Sequence, residues 1–120
     1  MNRWVLLEHK TIGSKLMDIH YDFLVEDQLD CFTWKFHEIP LLNKGFVKIV
    51  KQSNHRLIWL SRVKYQLSNN RGLVKRIDHG TFSYISHNQD SQEFKIILKG
   101  KLLKGFLTIN GSFCQLTKNN

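Results

Sequence analysis

Apolar residues recur in short runs along the chain, each broken after five to ten positions by glycine, asparagine, aspartate or serine. The runs are "RWVLLEH", "IHYDFLVE", "CFTWKF", "FVKIV", "RLIWL", "GLVKRID", "GTFSYIS", "EFKIILKG" and "KLLKGFLTIN". They are rich in Val, Ile, Phe, Trp and Tyr, the side chains that pack best on a pleated surface, and each reads as a β-strand. About nine strands at this spacing predict an all-β fold, a closed barrel or a sandwich, and the architecture expected is a single compact antiparallel β-barrel, closed or partly open, of about eight to nine short strands. Two turns are signalled, "DHG" at Asp78–Gly80 and "NGS" at Asn110–Ser112, where glycine supplies the positive φ of tight hairpins. "SNNRG" at Ser68–Gly72 reads as a longer loop leading into a strand. One proline, Pro40, no linker and no internal repeat leave a single domain over residues 1–116 and a polar tail over 117–120.

The second run carries the first chemical signal. Side chains alternate along a strand, and those at i and i+2 stand about 6.5–7 Å apart on one face. Tyr21, Phe23 and Val25 make the core face, which leaves His20, Asp22, Leu24 and Glu26 on the other. His20 and Asp22 project together, as a surface ion pair or as two ligands of a metal. His9 ends the first predicted strand, and the polar loop "KTIGSKLMD" leads from it to the strand of His20. Neighbouring strands would bring His9 to the same end of the barrel; otherwise it is a strand-end histidine bonded to the loop. Two imidazoles and one carboxylate bind Mn²⁺, Fe²⁺ or Zn²⁺ and leave positions open for water or substrate. His37 at a strand end, His79 in "DHG" and His87 in the loop "SHNQDSQ" are expected to be solvated and stay outside the site.

Charge adds a partner class. The formal charge is +8 over 120 residues, and Lys35–Arg76 holds ten Lys or Arg against one acid, Glu38. A concentrated positive surface attracts polyanions, so nucleic acid is the expected partner and an anionic membrane the weaker alternative. No apolar stretch approaches the roughly 18 residues of a membrane span, and the apolar run before Glu8 is short for a signal peptide; a cytoplasmic protein is expected. Cys31 and Cys114 lie far apart within apolar runs and read as reduced, buried thiols.

"LLEH", "HYDFLVE", "FTWKF", "NHRLIWL", "NNRGLVKRIDHGTF" and "FKIILKGKLLKGFLTI", in that order between about residues 3 and 109, resemble the 3′-phosphoesterase domain of bacterial DNA ligase D and the small stand-alone proteins similar to it. "HYDF", the "RIDHGTF" hairpin and the "LKGKLLKGF" hairpin are the most specific pieces. The resemblance implies a Mn²⁺-dependent barrel that trims DNA 3′ ends in repair by end joining, removing a 3′-phosphate or a 3′-ribonucleotide. It implies His9, His20 and Asp22 as metal ligands and His55 as the phosphate contact, with Arg56, Trp59, Arg62, Lys64 and Arg71 in the nucleic-acid-binding segment. It also implies a monomer whose sealing partner would be a separate ligase.

Two departures weaken the implied phosphate clamp. Leu24 stands where active members of the family carry an arginine, and Trp59 where they carry a tyrosine; the loop between His9 and His20 also looks longer. Losing a charged donor from such a site costs roughly 10²–10³ in rate, which leaves either a slow or differently specific phosphoesterase or a barrel that binds ends without processing them. Two readings from other classes remain. His20 and Asp22 with a distant histidine (His55, His79 or His87) match the ligand pattern of non-haem iron oxygenases. A plain nucleic-acid-binding barrel would stack bases on Trp34, Trp59 and Tyr65.

Overall fold

The pattern of short apolar runs is realised as nine antiparallel strands in a computed structural model, which describes residues 2–12, 17–68, 71–88 and 92–118. The strands are β1 (Arg3–Ile12), β2 (Met17–Glu26), β3 (Cys31–Phe36), β4 (Val47–His55), β5 (Lys64–Gln66), β6 (Leu73–Asn88), β7 (Glu93–Lys99), β8 (Lys104–Asn110) and β9 (Phe113–Thr117). Their order is β1-β2-β3-β4-β9-β8-β7-β6-β5, and a further pairing of β1 with β6 closes eight of them into a ring. β5 pairs with the N-terminal part of β6, outside that ring. The fold is therefore the all-β, barrel-like one expected. Among the described residues no helix is long and apolar enough to cross a membrane.

Alternation decides which side chains fill the ring. Trp4 and Leu6 of β1, Phe23 and Val25 of β2, Trp34 and Phe36 of β3, and Ile96 and Leu98 of β7 pack into one buried cluster with residues of the other ring strands. The opposite faces of β1, β2, β3 and β6 would meet water, yet Val5, Leu7, Leu24, Cys31 and Val74 are buried there as a second cluster. Their cover is a 3₁₀ turn, Leu57–Leu60, whose Leu60 is buried among them. Both faces of this part of the barrel are thus apolar, which explains why β1 reads "WVLL" without a polar break. Leu24 shares a face with His20 and Asp22, as alternation requires, and is fully buried.

Several expected boundaries move. "RLIWL" is the 3₁₀ turn and not a strand, and β4 continues past "FVKIV" to His55. β5 and β9 form from segments that carried no strand signal of their own; pairing of β5 with β6, and of β9 with β4 and β8, supplies it. "DHG" is not a turn: "GLVKRID" and "GTFSYIS" run together as the 16-residue β6. Gly80 serves close approach there, because a Cβ would run into the Lys99 carbonyl. Asp78 is buried and binds backbone amides of the β7–β8 connection, with the Lys101 N–H at 3.0 Å and the Leu102 and Leu103 N–H groups each at 2.8 Å. His79 and His87 consequently lie on a strand; His87 packs edge-on against Phe94, centroids 5.1 Å apart. The "NGS" hairpin forms as expected, with Gly111 at φ +59°. In "SNNRG" the described residues are Ser68, Arg71 and Gly72, and the chain enters β6 directly after them. Cys31 and Cys114 are free and buried, and burial pushes their thiols up to about 11 and about 12.

Candidate metal centre

β1 and β2 form a hairpin whose register sets His9 opposite His20 and Leu7 opposite Asp22. Residues paired across a ladder project from one face, as do residues two apart on one strand. His9, His20 and Asp22 therefore share a patch on the outer face of the ring. They meet by cross-strand pairing and not at a barrel end, because β1 continues beyond His9 to Ile12. The two rings lie 4.6 Å apart, centroid to centroid. Asp22 reaches both: Oδ1 is 3.3 Å from His20 Nε2, and Oδ2 is 3.9 Å from His9 Nδ1. One potential ligand atom from each residue lies within 4.8 Å of the other two.

The imidazoles are held differently. His9 Nε2 lies 3.1 Å from the Arg71 carbonyl oxygen. A carbonyl only accepts, so Nε2 carries the hydrogen and a neutral His9 keeps its lone pair on Nδ1, the atom turned toward Asp22. Gly72 makes this contact possible: its φ is +114°, and a Cβ would collide with the Lys10 carbonyl. His20 Nδ1 is buried without a hydrogen-bond partner. Burial lowers the pKa of His20, Asp22 opposes the shift, and His9 and Lys35 add to it. His20 is accordingly a neutral, lone-pair-bearing ring at neutral pH.

These residues fit a divalent cation. Ligand atoms about 2.1 Å from a shared ion stand about 3.0–3.4 Å apart at octahedral or tetrahedral angles. The contact of His20 with Asp22, at 3.3 Å, already has that span, and that of His9 with Asp22, at 3.9 Å, lies just beyond it. One nitrogen from each of two imidazoles and one carboxylate suit Mn²⁺, Fe²⁺ or Zn²⁺.

Beside the cluster lies a cavity of about 100 Å³, lined by His9, Asp22, His55 and Trp59 and flanked by Leu7, Leu67 and Val74. It has room for several water molecules. His55 ends β4 opposite Cys31, on the same outer face. Its Nδ1 is 3.2 Å from the Ser53 carbonyl, to which it donates, so Nε2 is left for a ligand. The ring stands edge-on to Trp59, with centroids 6.3 Å apart. Trp59 reaches the cavity because it sits on the 3₁₀ turn.

The remaining expected residues divide. Arg62 stacks on Trp59 and Tyr65, its guanidinium carbon 4.2 and 4.0 Å from the two ring centroids, which puts one cation beside the cavity wall. Arg71 turns its guanidinium back onto Ser68, with Nε 3.2 Å from the Ser68 carbonyl, and offers the site only its own carbonyl. Arg56 is exposed, and its carbonyl accepts the Trp59 N–H at 3.1 Å. Lys64 is exposed on β5, away from the cavity lining. Trp34 is buried in the barrel interior, so it is core and not a stacking surface.

Lys35 was missed. It pairs with Asp22 across β2 and β3 and acts electrostatically on His20. Alternation in "CFTWKF" puts it opposite the face of Phe32, Trp34 and Phe36; the β2–β3 register, absent from the sequence pattern, was the other fact needed. Comparison of the chain with protein-family models and with curated proteins finds no match.

Proposed function

We propose that the protein is a metal-dependent phosphoesterase acting on 3′ ends of nucleic acid, as its resemblance to the ligase D phosphoesterase domain implies, with Mn²⁺ as the expected metal. The observation that carries this reading is the juxtaposition of the His9–His20–Asp22 cluster with a small cavity on whose wall His55 stands. A divalent ion held by His9, His20 and Asp22 supplies Lewis acidity at a phosphoryl oxygen. The chain's own groups do the rest. The Arg71 carbonyl fixes the His9 ring so that Nδ1 faces inward. His55 donates through Nε2, when protonated, to a phosphoryl oxygen or to the leaving oxygen. Arg62, held over the Trp59 ring, offers a guanidinium to an entering terminal phosphate. This arrangement takes over in part from the family arginine, since Leu24 belongs to the buried outer cluster and cannot contact a phosphate.

The test is release of phosphate from a DNA primer ending in a 3′-phosphate, and of the terminal nucleoside from a primer ending in one ribonucleotide, with Mn²⁺ present. Release by the wild type that falls by roughly 10²-fold or more in Asp22→Ala and in His55→Ala is the expected result. No release, with 3′-end binding retained, supports the second reading, an end-binding barrel without turnover, which the burial of Leu24 favours. Oxygen consumption dependent on Fe²⁺ would overturn both.

A further inference from the structure

A second concave surface lies between the β5–β6 pair and the β7–β8 hairpin, a groove of about 760 Å³ lined by Arg76, His79, Lys99, Lys101 and Lys104. None of the ion pairs among the described residues involves these side chains. The one carboxylate on its wall, Asp78, is fully engaged: Oδ1 accepts the His79 and Lys101 N–H groups at 2.9 and 3.0 Å, and Oδ2 accepts those of Leu102 and Leu103 at 2.8 Å each. That strap fixes the lysine-bearing connection against β6. Gly100 permits it, since a Cβ there would strike the Trp4 ring and the Asp78 carboxylate.

Lys99 pairs directly with Lys104 across the hairpin. Like charges directly opposite destabilise a ladder unless something negative lies between them. The groove therefore sets four cations, Arg76, Lys99, Lys101 and Lys104, around a wall that also carries Val63, Ile77 and Ile97, with Lys99 and Lys104 repelling across the hairpin. Strand β6 contributes a wall both to this groove and to the cavity of the candidate metal centre. Val74 lies opposite His9 and lines the metal-side cavity, while Arg76, two residues along β6 on the same face, lines the groove.

We propose that this groove holds the phosphodiester backbone of the nucleic-acid strand whose 3′ end reaches the metal centre, an inference that rests on the function proposed above. Its concavity suits a strand better than a planar lipid surface.

The experiment measures Mn²⁺-supplemented binding of a fluorescent 20-nucleotide single-stranded DNA with a 3′-phosphate across a salt series, alongside turnover of a 3′-phosphorylated dinucleotide. Three proteins are compared: wild type, Lys99→Ala/Lys101→Ala/Lys104→Ala, and a control, Lys44→Ala/Lys48→Ala/Lys118→Ala, that removes the same charge elsewhere. The groove variant is expected to lose at least about tenfold in affinity for the 20-mer and to lower the salt slope by about 2, from roughly 0.7 per phosphate contact. Its dinucleotide turnover stays as in the wild type. An unchanged affinity and slope in the groove variant overturn the proposal, as does an equal loss in the control. Phosphatidylserine vesicles binding the wild type as tightly as the 20-mer, with the groove variant losing both, would also overturn it. Absence of dinucleotide turnover in the wild type, with the groove-specific affinity loss intact, sinks the phosphoesterase reading and leaves the backbone site standing.

Discussion

Arg71 contributes a carbonyl oxygen, not a guanidinium, to the candidate centre, and it can do so only because Gly72 turns the chain at φ +114°. A residue chosen for its charge thus acts through its backbone, and a glycine with no chemistry of its own positions a metal ligand. Gly72→Ala meets both a positive φ and the Lys10 carbonyl. It is expected to destabilise the fold by about 1–3 kcal/mol in urea titration and to weaken Mn²⁺ binding by roughly 10–100-fold in calorimetry, the usual effect of losing an outer partner of a ligating histidine. Mn²⁺ affinity equal to the wild type would show that the Arg71 contact does not orient His9. At this scale the sequence was partly informative. His20, Asp22 and Leu24 sit on the face that alternation assigned them, whereas the role of Gly72 depends on how closely β6 passes β1, which no local pattern reports.

Among the elements, strand pairing did what single residues could not. His9 was expected at a strand end; the extension of β1 to Ile12 places it in mid-hairpin, in register with His20. Misread segments share one physical cause. "RLIWL" has strand composition, yet Leu57, Trp59 and Leu60 cover the outer cluster as a 3₁₀ turn, so tertiary burial overrides propensity. "DHG" has turn composition, yet Asp78 accepts three of its four amides from the β7–β8 connection, and the stretch stays extended within β6.

The β1–β2 pairing also carries a pH-dependent tie. Arg3 holds Glu26 through Nε at 3.1 Å and Nη2 at 2.9 Å, and this contact keeps the Glu26 carboxyl below its usual range. A carboxyl with a depressed folded-state pKa stabilises the fold above the ordinary glutamate range, and that contribution is lost as pH falls through the depressed value. Glu26→Gln is therefore expected to cost about 1 kcal/mol at pH 7 and progressively less as acid approaches the lowered pKa, read from denaturant midpoints across pH. A difference between the two proteins that holds constant down to pH 2 would contradict this.

For the whole molecule, a cationic groove and the candidate metal cluster both border β6. Counting charge along the chain picked out Lys35–Arg76, which the fold spreads over β3 to β6, and concealed the groove: outside that segment the bases and acids nearly cancel. Folding separates them, gathering Lys99, Lys101 and Lys104 beside Arg76 while the acids of the first 30 residues lie elsewhere. The barrel class was legible because most ring strands carry alternating or doubly apolar patterning, β9 excepted; closure through β1 and β6 was not, since it depends on long-range register.

The central claim is that His9, His20 and Asp22 form one divalent-metal site. Calorimetric titration with Mn²⁺ of the wild type and Asp22→Ala tests it most directly. One-to-one binding in the wild type, abolished or weakened by roughly 10²-fold or more in the variant with both proteins folded, is the expected result. Equal binding by the two proteins, or none by either, would contradict it.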